Sequence, residues 1–264
     1  MGSQKAALEW HGSTLLRRTA GILSRATGGP VVVVRAAGQE LPALPEDILV
    51  TDDPREGKGP VQGIAAGLAA LRGRADAAFV SSTDLPFLHP AFVRRVLRVL
   101  EDGAGTDVAL PVARGFRQPL AAAYRVSLAE TAGRLVAEDR LRPALLFQRC
   151  TVQTLDDDAL RQDPVLAALD PDLDSVVNVN TPADYRAARA RPAPEVTVQL
   201  SRAAGNGCSR AIRAATLGAA AGALGVVLDR HVAVTLNGDQ ITTDGQTPLA
   251  AGDTVLFMKP NGER

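Results

Sequence analysis

An apolar run, Ala77-Ala-Phe-Val80, gives way to Ser81-Ser-Thr and then to Asp84-Leu-Pro86, so a buried strand delivers a carboxylate to its own carboxyl end. Ligands of open α/β sheets bind outside the carboxyl ends of the strands, and an aspartate there offers hard oxygens to a cation such as Mg²⁺. The same residue can instead cap the turn before Pro86. A second run, Ile48-Leu-Val-Thr, ends at Asp52, with Asp53-Pro54 as its turn alternative. Between the two carboxylates lies Gly57-Lys-Gly-Pro60-Val-Gln-Gly63, whose glycines let a backbone approach a ligand where side chains would block it. Further on, Val177-Asn-Val-Asn-Thr-Pro-Ala-Asp184 presents two amides, Asn178 and Asn180. Thr181, Pro182 and Asp184 read as a capping box at a helix start.

The elements that position these groups alternate. A helix-like segment over about Ser13 to Ala26 precedes the β-branched run Val31 to Val34. Apolar residues then recur at three and four from Val61 to Leu71, and again from Phe92 to Leu100 before Gly103. Strand and helix in turn predict βαβ units and a mainly parallel sheet. Asp107 to Val112 and Leu120 to Val126 make a further strand pair around Gly115, with Tyr124, Leu128, Leu135 and Val136 in the core.

The chain has 264 residues, with 29 Lys plus Arg against 29 Asp plus Glu, so no long-range field draws it onto nucleic acid or an anionic membrane. Phosphate recognition must be local. Cys150 and Cys208 are the two cysteines, which excludes a disulfide framework and, with no His spacing to match, a zinc site. His11, His89 and His231 form no cluster. No apolar run reaches membrane-spanning length and no signal-peptide pattern opens the chain, which predicts a cytoplasmic protein with reduced thiols.

The Asp84 strand, the Gly57–Gly63 loop, Gln118-Pro-Leu120 with Ala123-Tyr124, and Val177 to Asp184 occur in an order and spacing that resemble the molybdenum cofactor guanylyltransferase family over roughly the first 190 residues. The resemblance implies a Rossmann-like nucleotidyltransferase that joins GMP from Mg-GTP to the phosphate of the molybdopterin cofactor and releases pyrophosphate. It implies Lys5 as the phosphate lysine and Asp84 as the metal ligand. Asn180 becomes a second oxygen ligand and Asn178 faces the pterin phosphate. Asp52, Gly59, Pro60 and Gly63 lie against the nucleotide. Arg114, Arg117 and Gln118 either meet the pterin phosphate or pyrophosphate, or are solvated. Val34-Arg35 stands where the family often has a guanine-contacting asparagine. A cytidylyltransferase, or a non-catalytic docking protein with a decayed transferase half, are the alternatives.

Family members open with a strand and a loop of the form Leu-Ala-Gly-Gly-x-Ser-x-Arg-Met-Gly-x-x-Lys, and Met1-Gly-Ser-Gln-Lys5 begins inside it. The resemblance therefore implies a natural start further upstream, and a central strand whose absence leaves two neighbours without hydrogen-bond partners.

Apolar periodicity is lost over Ala187 to Pro194, which predicts a linker and a boundary near residue 193, with domains over 1–190 and 195–264. Beyond it come a strand over Glu195 to Leu200, a helix from about Ser209 to Leu224, a strand over His231 to Leu236, an Asn237-Gly238 hairpin turn, and a last strand over Leu249 to Phe257. This order resembles the β-grasp fold of the small molybdopterin synthase subunit and the thiamine sulfur carrier. Those carriers end in Gly-Gly, whereas here Gly262 is followed by Glu263-Arg264. Docking to cofactor-biosynthesis proteins is the expected role, not sulfur carriage.

Overall fold

The computed structural model describes residues 5–53, 59–201 and 208–258. Gly57 in the glycine loop and Gly262 to Arg264 in the tail lie outside the described residues. Strands β1 (Glu9–Trp10) and β2 (Ser13–Thr14) form a small hairpin. Helix α1 (Leu15–Thr27) follows, started by the Thr14 side chain accepting from the Arg17 N–H and ended by Gly28 at φ 63°. Next come β3 (Val32–Ala36), β4 (Leu49–Asp53), α2 (Pro60–Ala70), β5 (Ala77–Ser81) and α3 (Pro90–Asp102). Then β6 (Val108–Ala113), β7 (Phe116–Arg117), β8 (Ala121–Arg125), α4 (Leu128–Ala137), α5 (Pro143–Phe147) and β9 (Val152–Leu155) build the far side. Short helices α6 (Asp157–Arg161) and α7 (Pro164–Leu169), and then α8 (Pro182–Arg189), complete this half.

The sheet departs from the expected parallel arrangement. Strands β3 and β4 pair in parallel and stand apart as a two-stranded sheet. Strand β5 pairs antiparallel with β8, β8 antiparallel with β6, and β6 parallel with β9. The reversal arises at Arg114-Gly115, both at positive φ, which turns the chain from β6 into β7 and back toward β8. Among the described residues β3 pairs only with β4 and β5 only with β8. A cleft of about 1010 Å³ lies between β3 and β5, lined by Val32 and Val34 on one side and Ala78 and Val80 on the other. Among the described residues each of the two strands leaves one edge toward this cleft.

Residues of β5 alternate between two cores. Phe79 packs edge-on against Phe92 of α3, with ring centroids 6.3 Å apart, in a cluster that includes Val96 and Leu100. Ala78 and Val80 face the opposite cluster, built from Ile64 and Leu68 of α2 with Tyr124 and Leu135. Helix α3 ends at Gly103, which is not in the left-handed conformation. A Cβ there would stand 2.4 Å from the Thr106 hydroxyl, so close approach is what requires glycine.

The remaining residues form a second sheet of five strands: β10 (Glu195–Ser201), β11 (Cys208–Arg213), β12 (Ala233–Leu236), β13 (Asp239–Ile241) and β14 (Thr254–Met258). Their order is β11-β10-β14-β12-β13, with β10 and β14 parallel at the centre. Helix α9 (Leu217–Ala223) covers it, and Val198, Leu217, Val234, Leu249 and Phe257 fill a core of its own. Asn237 and Gly238 turn the hairpin at φ 54° and 97°, as expected of that dipeptide. The expected helix over 209–224 is shorter. Cys208 to Arg213 pairs with β10 instead, and the helix starts only where the Thr216 hydroxyl accepts from the Ala219 N–H at 3.3 Å. The last strand starts at Thr254 and not at Leu249, because Gly252 at φ 78° and the Asp253 carboxylate shape a turn before it.

Candidate active site

The structure brings Lys5, Asp84 and Asn180 together, although 175 residues separate the first from the last. Lys5 Nζ lies 3.8 Å from Asp84 Oδ2 and donates to Asn180 Oδ1 at 3.4 Å. Asp84 stands beyond the end of β5 in a turn, with its side chain 21% exposed. Ser82 Oγ donates to its carboxylate, and its backbone carbonyl accepts from the Val179 N–H at 2.9 Å. That backbone bond stitches the Asn178–Asn180 segment to the Asp84 turn.

Asn180 is fixed from its other side by the helix start. The Thr181 hydroxyl accepts from the Asp184 N–H, and the Asp184 carboxylate accepts from the N–H groups of Thr181 and Asn180 at 2.8 and 3.1 Å. The capping box expected of Thr181 and Asp184 is present, and it also holds an asparagine of the site in place. Those backbone N–H groups, the Thr181 hydroxyl and the nearby Lys5 charge set the Asp184 carboxyl below its usual range. Asn178 is exposed, two residues before Asn180.

A second group of residues gathers at the start of α2. Gly59 adopts φ 96°, a conformation that calls for glycine, while a Cβ there would meet the Leu141 carbonyl oxygen at an ordinary 3.4 Å. Pro60 and Gly63 line the cleft between β3 and β5 together with Arg35, Asp53, Ser82, Thr83 and Ala6. No heavy atom lies within 4 Å of a Cβ built on Gly63, so that face of the helix start is open. Asp53 lines this cleft, and Asp52 does not. Alternation along β4 turns Asp52 away, and Arg35 Nε donates to its carboxylate at 2.7 Å. Arg114 is held by the Asp172 carbonyl at 2.8 Å and by Asp174 at 3.4 Å, while Arg117 is exposed on β7. Gln118 donates to the Ala113 carbonyl.

Sequence reasoning missed Ser82 and Arg18. Ser82 carries a signal, a hydroxyl two residues before a strand-end carboxylate. Arg18 carries none, because its partner is the carbonyl of Pro86, 68 residues on, to which Nε donates at 2.6 Å.

The described residues hold no group of three or more His, Cys, Asp or Glu side chains gathered for a metal ion. One carboxylate and one amide oxygen fit a cation that takes its other oxygens from phosphates and water, as Mg²⁺ does in nucleotide sites. No helix among the described residues is long and apolar enough to cross a membrane.

Strand-end carboxylate, lysine and open helix start in this fold define a nucleotidyltransferase. Residues 1–154 match the model of the MobA-like NTP transferase domain, and the chain belongs to that family. The molybdenum cofactor guanylyltransferase of Desulfosudis oleivorans is 28% identical over 189 residues, spanning 72% of this chain and 87% of the relative. The probable molybdenum cofactor guanylyltransferase of Methanosarcina acetivorans is 31% identical over 191 residues, spanning 69% and 80%. In fold, the chain is similar to the molybdopterin-guanine dinucleotide biosynthesis protein A of Archaeoglobus fulgidus, with a TM-score of 0.54 and 23% identity over 70% of this chain and 88% of that one.

Proposed function

We propose that this nucleotidyltransferase is a molybdenum cofactor guanylyltransferase that uses Mg²⁺ to move GMP from GTP onto the phosphate of the molybdopterin cofactor. A phosphate oxygen of the acceptor forms a bond to the α-phosphorus of GTP, the bond from that phosphorus to the bridging oxygen breaks, and pyrophosphate departs with the electron pair. The acceptor oxygen is already ionised at neutral pH, so positioning and charge neutralisation are the protein's task and no histidine base is required. The observation that carries the reading is the Lys5–Asp84–Asn180 cluster at the carboxyl end of β5.

In this reading Asp84 and Asn180 hold the cation, which neutralises phosphate charge when bound. Lys5, now shared between Asp84 and Asn180, supplies a positive charge to the α and β phosphates. Preorganised charge of this kind is worth about 3 kcal/mol or more in a site closed to water. Gly59, Pro60 and Gly63 present the helix start to the nucleotide, and Asn178 faces the pterin phosphate. Residues 1–190 form the transferase domain. Residues 195–264 form a β-grasp domain that docks the protein to other enzymes of cofactor biosynthesis, in keeping with its central parallel strand pair and single covering helix.

Pyrophosphate release from GTP, CTP and ATP with molybdopterin as acceptor tests the reading. GTP is the expected substrate. Asp84→Ala should lower turnover by about a thousandfold or more and Asn180→Ala by ~10- to 1000-fold, with thermal stability retained. Near-normal turnover of Asp84→Ala in Mg²⁺ would sink the metal assignment, and preference for CTP would sink the guanylyl one.

A further inference from the structure

The Asp84 turn is held from the far side of the molecule. Arg18 of α1 is buried, and its guanidinium bridges two carbonyls. Nε donates to Pro86, two residues beyond Asp84, at 2.6 Å, and Nη1 donates to Leu249 of the second sheet's half at 3.1 Å. Among the described residues Arg18 has no ion pair within 4 Å, so two carbonyls are its hydrogen-bond partners and the Asp253 carboxylate helps only at longer range. Such a group tolerates little displacement, because moving either carbonyl leaves buried charge unsatisfied.

The loop that carries Leu249 is itself fixed. Arg25, two turns along α1, donates to the Pro248 carbonyl at 2.9 Å and to both oxygens of Asp253 at 2.8 and 2.5 Å. Asp253 also accepts from the Ala250 N–H and from Asn237. His89, at the start of α3, accepts from the Ala91 N–H through Nδ1, which places its proton on Nε2 for the Ala251 carbonyl at 3.1 Å. Packing matches the polar contacts: Gly21 of α1 leaves room for the Pro248 ring, which would lie 2.7 Å from a Cβ. Gly252 does the same for Leu169, at 2.5 Å.

We propose that the carboxyl-terminal sheet unit, through loop 248–253, is a fixed brace for the Asp84 turn, acting through Arg18 as a positioning residue. It is not a module that swings free to carry cargo. Loop 248–253 sets Leu249, Leu249 and Pro86 set Arg18, and Arg18 sets the turn from which Asp84 projects. A protein that binds the second sheet and shifts this loop thereby alters the metal-binding end of the transferase. The link to metal rests on the assignment of Asp84 above, whereas the brace itself does not.

The test uses the full chain with Arg18→Met, Arg18→Lys and Gly252→Ala, the last chosen because it disturbs the loop without touching Arg18. Amide hydrogen exchange is read over residues 82–88, with β6 and β8 as internal controls, and the Mg²⁺ concentration for half-maximal turnover is measured alongside. Arg18→Met should speed exchange at the Leu88 N–H, which donates to the Leu85 carbonyl, by about tenfold or more and leave the controls unchanged. Gly252→Ala should do the same to a smaller degree, and Arg18→Lys should restore part of the protection. The half-saturating Mg²⁺ concentration should rise by about tenfold, with kcat at saturating metal little changed. Unaltered exchange over 82–88 in both Arg18→Met and Gly252→Ala overturns the brace. Faster exchange with an unmoved Mg²⁺ requirement upholds the brace and removes the metal assignment of Asp84.

Discussion

Helix α1 has two built faces, and they differ in kind. Along one, Leu16, Ala20 and Leu23 look into the cleft beside β3 and β5. The cleft is lined mainly by apolar side chains, and among the described residues the backbones of its two bounding strands have no partners on that side. Along the other, Arg18, Gly21 and Arg25 mesh with loop 248–253 through carbonyls, a carboxylate and a proline ring. Apolar burial is non-directional, so the first face keeps its shape only if something fills it. Paired charges and buried carbonyls are directional, and the second face is specified by its own contacts. The Lys5–Asp84 cluster sits where these faces meet, with Ala6 lining the cleft and Arg18 holding Pro86.

The largest difference should be read along the first face by amide hydrogen exchange. Strands β6 and β8 are paired on both sides, whereas β3 and β5 each have one partner among the described residues. Cleft-facing amides of β3 and β5 should therefore exchange about a thousandfold or more faster than the paired amides of β6 and β8. Equal protection in all four strands would falsify this expectation.

A smaller effect follows from making the second face as unspecific as the first. Burial raises the Asp253 carboxyl, but the Arg25 guanidinium, the Ala250 N–H and Asn237 outweigh it and leave the group below its usual range. Asp253→Ala strands Arg25 at a buried interface and is expected to cost about 3–5 kcal/mol in denaturant unfolding. An Arg25→Met, Asp253→Leu double variant should recover much of that loss, since two apolar groups of similar volume leave no unpaired charge. A double variant no more stable than Asp253→Ala alone would show that the pair contributes more than mutual neutralisation.

Much of the site is legible in the sequence because its residues sit at strand ends and helix starts, where local pattern and chemistry coincide. Asp84 follows an apolar strand, Asn180 precedes a capping box, and Gly59 precedes Pro60 at N1. The pairing of β8 with β6 was legible in the turn around Gly115, whereas its antiparallel place beside β5 was not, because an apolar run buried on both faces does not say which further edge it joins. Residues 208–213 misled for a related reason. Ser-Arg-Ala-Ile-Arg carries both periods, and pairing with β10 decides between them. Arg18 and the seam at loop 248–253 were invisible in principle, since backbone carbonyls have no sequence signature.

The gentlest probe of the seam is acid, through His89. Burial sets its imidazole below the ordinary range, against opposing pulls from the Ala251 carbonyl, Asp170 and Asp253. The groups around the ring have fixed roles: Asp253 is paired with Arg25, Asp170 accepts from the N–H groups of Asp174 and Ser175, and Nδ1 of His89 must stay unprotonated to cap α3. The unfolded chain takes up a proton on this residue near pH 6.5, while the folded chain resists it to lower pH. Unfolded protein therefore binds more protons across that window, and stability must fall as pH drops below about 6.5. The loss cannot exceed about 1.4 kcal/mol between pH 6.5 and 5.5 for one group. His89→Asn keeps a side-chain acceptor for the Ala91 N–H and removes the titration, so it should flatten the decline over that interval while lowering stability at pH 7.5. Denaturant midpoints at pH 7.5, 6.5 and 5.5 for both proteins decide the matter. A decline of equal slope in the variant would assign it elsewhere, first to His11, whose imidazole is lowered by burial and by Arg189.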